Sequence, residues 1–469
     1  MIASLFKYAP VQVFSALSLF VLISIHSRFL VPEEYGLLAI LLVFSEGARS
    51  VLIQWINSCL LRFYSAMDID NKAVLISQST RWLIFFLVIS SFVIAALMLA
   101  FSLFSFVNFI AVYILLISKS VYLYLIECTR IKEKSSIYRR VVLTQSILVM
   151  CVTFIALNWH ANIVVAILSL ASSYFISILI VGFKMDLSVR LSVDQHKEVI
   201  SYGMPFMLSG LIGILATRSD RLLIASITNL EQAGIYSAVN NLLMGVMSIV
   251  FMIVALPLYP ELTKIVEDRQ SLYRRHKNYS GILLALTLPA LVGVCLIAPI
   301  FIDVFLGESY HEIDLRIWYI ISFSAWLINI KGHYFDHGFQ FIFKTKWMPA
   351  ITSFILLVQV TLSIIFIPKY GALGAAGCLA VAFTIGALCS LFIGIQLGYK
   401  YPFPQELHKT LISTMVMSAT IYYFLDKLGG FIAISKLLIL VSIGLLSYLS
   451  MHIILNSFLI RSQFKVWRR

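Results

Sequence analysis

Runs of about 20 apolar residues recur from one end of the chain to the other, separated by short stretches of Gly, Pro and charge. Read on that pattern, the chain is all-α and polytopic, with about fourteen membrane helices. They fall near 8–29, 36–61, 83–104, 107–127, 141–158, 161–183, 203–227, 234–257, 279–302, 317–341, 348–367, 371–396, 407–425 and 435–459. No long polar segment separates the runs, so no soluble domain is expected. The first run is too long for the core of a signal peptide and is read as a retained span.

Composition agrees with the pattern: 61% of the 469 residues are hydrophobic and 12% charged, where soluble domains spend about a quarter on charge. The formal net charge is +13. With the N-terminus inside, loops and tails on the cytoplasmic side hold about 25 Lys and Arg against about 5 outside, so both termini are expected in the cytoplasm. That asymmetry accounts for the basic balance as a topology signal and an attraction to anionic membrane lipids, not a nucleic-acid footprint.

A repeat is visible within the chain. Spans one and two read YAPVQVFSALSLFVLISIHSRFLVPEEYGLLAI, and spans seven and eight read YGMPFMLSGLIGILATRSDRLLIASITNLEQAGIYSAV. Each opens on Tyr and Pro (Pro10, Pro205), carries Arg near its outer end (Arg28, Arg221), and turns through Glu before Gly (Glu33 and Gly36; Glu231 and Gly234). The expected organisation is an N-terminal lobe at 1–183, a C-terminal lobe at 184–400, and two further helices with a basic cytoplasmic tail at 401–469. Parallel repeats of this kind are a transporter design.

Five cations fall inside spans: Arg49, Lys119, Arg218, Arg221 and Lys331. A charge at the bilayer centre costs about 3 kcal/mol on insertion scales, so such residues usually face protein or a water-filled cavity. Glu46 and Arg49 are three apart and suited to an ion pair. In span seven, Ser209, Gly213, Thr217 and Asp220 form one polar or small stripe beside Arg218 and Arg221. Arg221 reads either as an interface anchor paired with Asp220 or as a second cavity cation. Span eight carries Ser237, Asn241, Gly245 and Ser248, and span ten carries Ser322, Asn329, His333, Asp336 and Gln340. Lys331 falls off the stripe of its own helix. The cations outnumber Glu46 and Asp220, which points to a large polar anion as ligand. Arg suits phosphate through its planar, permanently charged fork.

Other chemistry is weakly signalled. His333 and His337 have no evident third ligand, so no metal is expected. The six cysteines show no CxxC pair and read as packing residues. Asp68 and Asp70 form a DxD in a loop too short to house a nucleotide-sugar site. No cofactor is implied.

Several stretches resemble a known family: FLVPEEYGLLAI, the span-seven and span-eight segment above, PLYPEL at 257–262, FLGESY at 305–310 and IPKYGALGAAGCLA at 367–380. They resemble the polysaccharide transporter family of the multidrug, oligosaccharidyl-lipid and polysaccharide (MOP) exporter superfamily, which includes Wzx-type O-antigen flippases. The resemblance implies fourteen helices in two six-helix lobes plus two, alternating access, and a cationic central cavity. It implies a bacterial inner-membrane transporter, not an enzyme, whose cargo is an undecaprenyl-pyrophosphate-linked oligosaccharide. Substrate contacts are then expected at Arg49, Lys119, Arg218, Arg221 and Lys331, with Glu46, Asp220 and Asp336 as charge partners or coupling residues. A polysaccharide polymerase and a chain-length regulator are the implied partners of a monomer. Three rival readings are a lipid II flippase, a multidrug antiporter of the same superfamily, and a membrane polymerase or ligase. The antiporter relies on a carboxylate in span one, where Tyr8 to Phe29 has none. Polymerases and ligases use a large outer loop, and none here clearly exceeds about 15 residues.

Overall fold

The computed structural model describes residues 2–66, 68–181, 193–428 and 430–457, and every described element is helical. The chain divides into two compact units, Met1–Ser237 and Ala238–Arg469. Ten described helices are long and apolar enough to cross a membrane, with a shorter apolar run at Phe14–Phe29. The kink that divides the longest of the ten into two spans and the remaining shorter apolar helices bring the count to about fourteen, and the protein is a multi-pass membrane protein. Lys184, Arg190, Arg461, Lys465, Arg468 and Arg469, which enter the charge asymmetry, lie outside the described residues.

The first unit holds α1 (Ile2–Phe29), α2 (Pro32–Leu52), α3 (Gln54–Phe63), α4 (Ile69–Ala100), α5 (Phe106–Ile131), α6 (Ser135–Trp159), α7 (Ile163–Val181), α8 (Val193–Ile227) and the start of α9 (Leu230–Thr263). Two features depart from the hydropathy pattern. Helix α4 begins well before the apolar run predicted from residue 83, and its polar third turn is packed: Ser77, Gln78, Ser79 and Thr80 are all buried. Span two is broken at Ile53 (φ −118°), which separates α2 from α3.

In lipid there is little hydrophobic drive between helices, so close approach depends on small residues. Helix α8 meets α2 and α3 through Gly210, against the Ser50 carbonyl, and Gly203, against the Trp55 ring. The tightest approach is reciprocal. A Cβ on Gly36 would lie 1.9 Å from the Leu230 carbonyl oxygen, and one on Gly234 would lie 1.8 Å from that of Pro32. Each glycine thus faces the carbonyl four residues before the other, so the two corresponding positions of the sequence repeat meet as a local two-fold crossing.

The second unit holds the rest of α9, α10 (Arg269–Leu296), α11 (Ala298–Phe305), α12 (Leu315–Ile330), α13 (His337–Phe341), α14 (Trp347–Gln396), α15 (Leu407–Leu425) and α16 (Ala433–Ile454). Asp268 caps α10, accepting from the backbone N–H groups of Gln270 and Ser271. Spans eleven and twelve run on as α14 with a sharp kink at Gly371 (φ 55°, ψ −134°), a left-handed conformation that glycine tolerates. Helices α15 and α16 pack on each other and on α10 and α11, and the Tyr448 hydroxyl donates to the Ala285 carbonyl at 2.5 Å. Between α12 and α13, Lys331–Phe335 forms a π-helical turn.

Candidate functional site

Three groups of intramembrane charge stand out, two in the first unit and one in the second. In the first, Arg49 reaches back one turn along α2: its Nε donates to both Glu46 carboxylate oxygens at 3.1 and 3.2 Å, and its Nη2 to Oε1 at 2.5 Å. Lys119 of α5 donates to the other oxygen, Oε2, at 2.7 Å. Arg49 Nη1 donates to Gln54 Oε1 at 2.5 Å. In an unbroken helix a residue five positions on lies about 140° round the axis, and the break at Ile53 is what brings Gln54 to Arg49.

At 1.5 Å per residue, Arg49 lies about 26 Å along from Pro32, midway through the α2–α3 span, and Lys119 about 20 Å into α5, at its midpoint. The side chains of Glu46 and Lys119 keep 30% and 29% of their surface accessible. Two cations share one carboxylate, so the group carries a formal excess of one positive charge. Arg49 has five N–H donors and Lys119 three. Glu46 and Gln54 engage three of the first set and one of the second, so four remain for another acceptor.

The second group lies on α8. Asp220 is fully buried; its Oδ1 accepts from the Arg221 backbone N–H at 2.8 Å, and its Oδ2 from the Tyr236 hydroxyl at 2.5 Å. Arg221 is also buried, at 4% exposure, so it does not extend to the interface as an anchor would. Arg218 is half-buried. Tyr236 sits two residues beyond Gly234, which places this network beside the glycine crossing.

The third group is in the second unit. Lys331 Nζ donates to both Asp336 oxygens, at 3.0 and 2.7 Å, and Ser390 of α14 donates to Oδ1 at 2.8 Å. The expectation that Lys331 falls off its helix stripe assumed α-helical phasing. The Asp336 backbone N–H instead donates to the Lys331 carbonyl at 2.8 Å, a five-residue bond, and the wider turn aligns the two side chains. Ser390 and Tyr401 went unrecognised in the sequence. Their trace there is the small-residue track Ala382, Gly386, Ser390 and Gly394 at four-residue spacing. Lys331 lies against Gly386, and the Tyr401 hydroxyl fits between Gly338 and Gly394.

Near this turn, His333 stacks on Phe251 (5.7 Å), and His337 packs on Tyr259 (4.7 Å) and His276 (5.8 Å). Gln340 accepts from the Tyr259 hydroxyl. Among the described residues no group of three or more His, Cys, Asp or Glu is placed to hold a metal. The six cysteines are free.

A family model described as polysaccharide biosynthesis protein matches residues 25–314. The chain belongs to this family. No curated protein matches it. Its fold is shared with solved transporters. A lipid II flippase, MurJ, in an inward closed conformation has a TM-score of 0.71 at 18% identity, over 97% of this chain and 99% of that one. An inward-facing multidrug resistance MATE family transporter of the MOP superfamily has 0.59 at 14% identity, over 81% and 94%. The Vibrio cholerae MATE transporter VcmN has 0.54 at 13%, over 84% and 95%. The polysaccharide biosynthesis chain therefore has the MOP transporter fold. The span matched by the family model includes the Glu46 and Asp220 groups and ends before Lys331.

Proposed function

We propose that this chain is a flippase that moves an undecaprenyl-pyrophosphate-linked oligosaccharide, an O-antigen or related surface-polysaccharide repeat unit, from the cytoplasmic to the periplasmic leaflet of a bacterial inner membrane. Both termini would lie in the cytoplasm. The observation that carries the reading is the Glu46–Arg49–Lys119 group. An excess positive charge held mid-span with four unused N–H donors is costly unless an anion arrives to use them. A pyrophosphate suits it, since its clustered oxygens accept from a guanidinium fork and an ammonium together. In the empty state Glu46 offsets the repulsion between Arg49 and Lys119. When cargo enters, phosphoryl oxygens take the remaining donors while the polyprenyl chain stays in lipid. Alternating access then releases the cargo on the other side. Arg218 and Arg221 of α8 would supply further positive charge. A polysaccharide polymerase and a chain-length regulator would receive the product from a monomeric transporter.

The test is flipping of a fluorescent undecaprenyl-pyrophosphate oligosaccharide in proteoliposomes, at matched protein levels. A charge-assisted hydrogen bond is worth about 1.5–3 kcal/mol, so Arg49→Ala and Lys119→Ala should each slow flipping at sub-saturating cargo by about 10- to 100-fold, with Arg49→Lys losing less. Wild-type rates in both Ala variants would remove the anion-binding role. Flipping of lipid II in place of the oligosaccharide would keep the anion site and change the cargo.

A further inference from the structure

Helix α13 ends in a turn whose residue type the fold does not call for. The Phe343 N–H donates to the Gln340 carbonyl at 3.3 Å and the Lys344 N–H to that of Phe339 at 2.8 Å, which closes a Schellman motif with Phe343 in the left-handed position (φ 57°). Glycine is the usual residue there, because a Cβ crowds the backbone in that conformation. The same two bonds end α14, from Gly398 to Ile395 and from Tyr399 to Gly394, and its left-handed residue is glycine (φ 92°). The other non-glycine residues at positive φ among those described, Ser102, Glu133, Glu406 and Asn456, are polar. Phe343 is the apolar exception, and the strained conformation does not bury it: the residue is 81% exposed.

Its position relative to the bilayer shows what meets the ring. From Met348 to Pro368 the first half of α14 spans about 30 Å at 1.5 Å per residue, the thickness of a hydrocarbon core. Phe343 precedes Met348 by five residues, which places it in the headgroup layer, about 5–7 Å deep on each side. After the kink at Gly371, α14 returns to the same side, and the segment that follows runs beside α13. There the Tyr401 hydroxyl donates to the Phe335 carbonyl at 2.6 Å, and the Phe341 and Tyr399 rings lie 6.0 Å apart. A second exposed ring, Phe403 at 71%, follows Lys400 by three residues. Lys344, Lys346 and Lys400 are all exposed, and none has a carboxylate partner among the described residues. Lys264 and Lys409, by contrast, each hold a glutamate three residues away, at 2.5 and 3.4 Å.

We propose that the two turns flanking α14 form a binding site for an anionic phospholipid. Lys344, Lys346 and Lys400 hold its phosphate, and the rings of Phe343 and Phe403 enter the leaflet beside its acyl chains. Unpaired ammonium groups at a leaflet surface attract anionic headgroups, and burial of the Phe343 ring among the chains offsets the strain of its backbone. An acidic soluble protein would match the lysines but not two apolar rings at the edge of the hydrocarbon. The site lies wholly in the second unit, and it rests on the chain's membrane spans and not on the cargo.

The test puts a reporter at the strained position. The full chain carrying Phe343→Trp is reconstituted in phosphatidylcholine nanodiscs that contain a minor fraction of brominated lipid, either phosphatidylglycerol or phosphatidylcholine. Quenching of the added indole is read as the difference from wild type in the same discs. Quenching by the phosphatidylglycerol should be stronger by about fivefold, because the unpaired lysines enrich the anionic lipid locally. Lys344→Gln, Lys346→Gln and Lys400→Gln together should make the two lipids equal, whereas Lys264→Gln with Lys409→Gln, which removes the paired lysines, should leave the preference intact. Equal quenching with all lysines present overturns the site, as does a preference that survives the triple substitution or disappears with the paired lysines. Quenching by neither lipid also overturns it, because the ring would then lie outside the bilayer, where a protein partner would have to cover it. Glycerol phosphate added in solution should leave the preference unchanged; its loss would make the ligand a soluble anion instead of a lipid.

Discussion

The Gly36–Gly234 crossing makes a prediction whose size follows from the coordinates. In Gly36→Ala the new methyl would sit 1.9 Å from the Leu230 carbonyl oxygen and 2.9 Å from the Gly234 nitrogen. Ordinary contact begins at 3.4 Å, so α2 and α9 must part by about 1.5 Å, and the obstructing atoms are backbone that cannot rotate away. Overpacking on this scale costs about 1–3 kcal/mol, against which alanine returns up to about 1 kcal/mol of helix propensity. Gly47 of the same helix is the internal control. A Cβ there meets only Ile214, at 3.9 Å, and at Gly213 of α8 nothing lies within 4 Å. Gly47→Ala and Gly213→Ala should therefore be neutral or slightly stabilising. The assay is reversible unfolding in mixed micelles by detergent titration, comparing the four single variants. Gly36→Ala and Gly234→Ala should each fall about 2 kcal/mol below the controls. The double variant should lose less than their sum, since the first displacement makes room for the second methyl. Gly36→Ala matching Gly47→Ala within about 0.5 kcal/mol would refute the close crossing.

Tyr236→Phe removes the donor to a fully buried Asp220 oxygen and should cost about 1–3 kcal/mol in the same titration; an unchanged midpoint would show the network to be dispensable. Glu46→Gln takes the shared carboxylate from Arg49 and Lys119. Two cations left together mid-span should lower stability by about 1–3 kcal/mol at this partial exposure, and a pyrophosphate added in millimolar amounts should restore part of it. The Ser271 hydroxyl and backbone N–H beside Asp268 hold its carboxyl below the ordinary carboxylate range. A lowered value stabilises the fold above the unfolded-state titration and loses that contribution as pH falls through the folded-state one. The advantage of wild type over Asp268→Ala in thermal unfolding should accordingly shrink in acid, and a constant gap would contradict the cap. Gly394→Ala would place a methyl 2.3 Å from the Tyr401 hydroxyl; Tyr401→Phe in that background should recover part of the lost stability.

Much of the architecture was legible because hydropathy over 20 residues measures what a bilayer imposes. Span number and the pairing of Glu46 with Arg49 came directly from length and spacing. The same reasoning ended helices too early wherever the chain continues past the apolar slab, as α4 does before residue 83 with Ser77, Gln78, Ser79 and Thr80 packed inside. It also matched Gly36 with Gly234 as equivalent positions of a repeat without showing that they touch, since sequence similarity carries no distance. Lys119 could be placed at the right depth, yet its partner stands 73 positions away on another helix.

The misplacement of Lys331 has a more specific cause. Every face assignment along span ten assumed 100° per residue, and one π-helical turn violates that rule at the single place where a lysine and an aspartate five apart are brought together. A local pattern that conflicts with regular helix geometry marks a site where tertiary contacts have overridden it, here Ser390 and Tyr401 packed along the Gly386–Gly394 track. An irregular turn of this kind is maintained by its partners and can be lost with them.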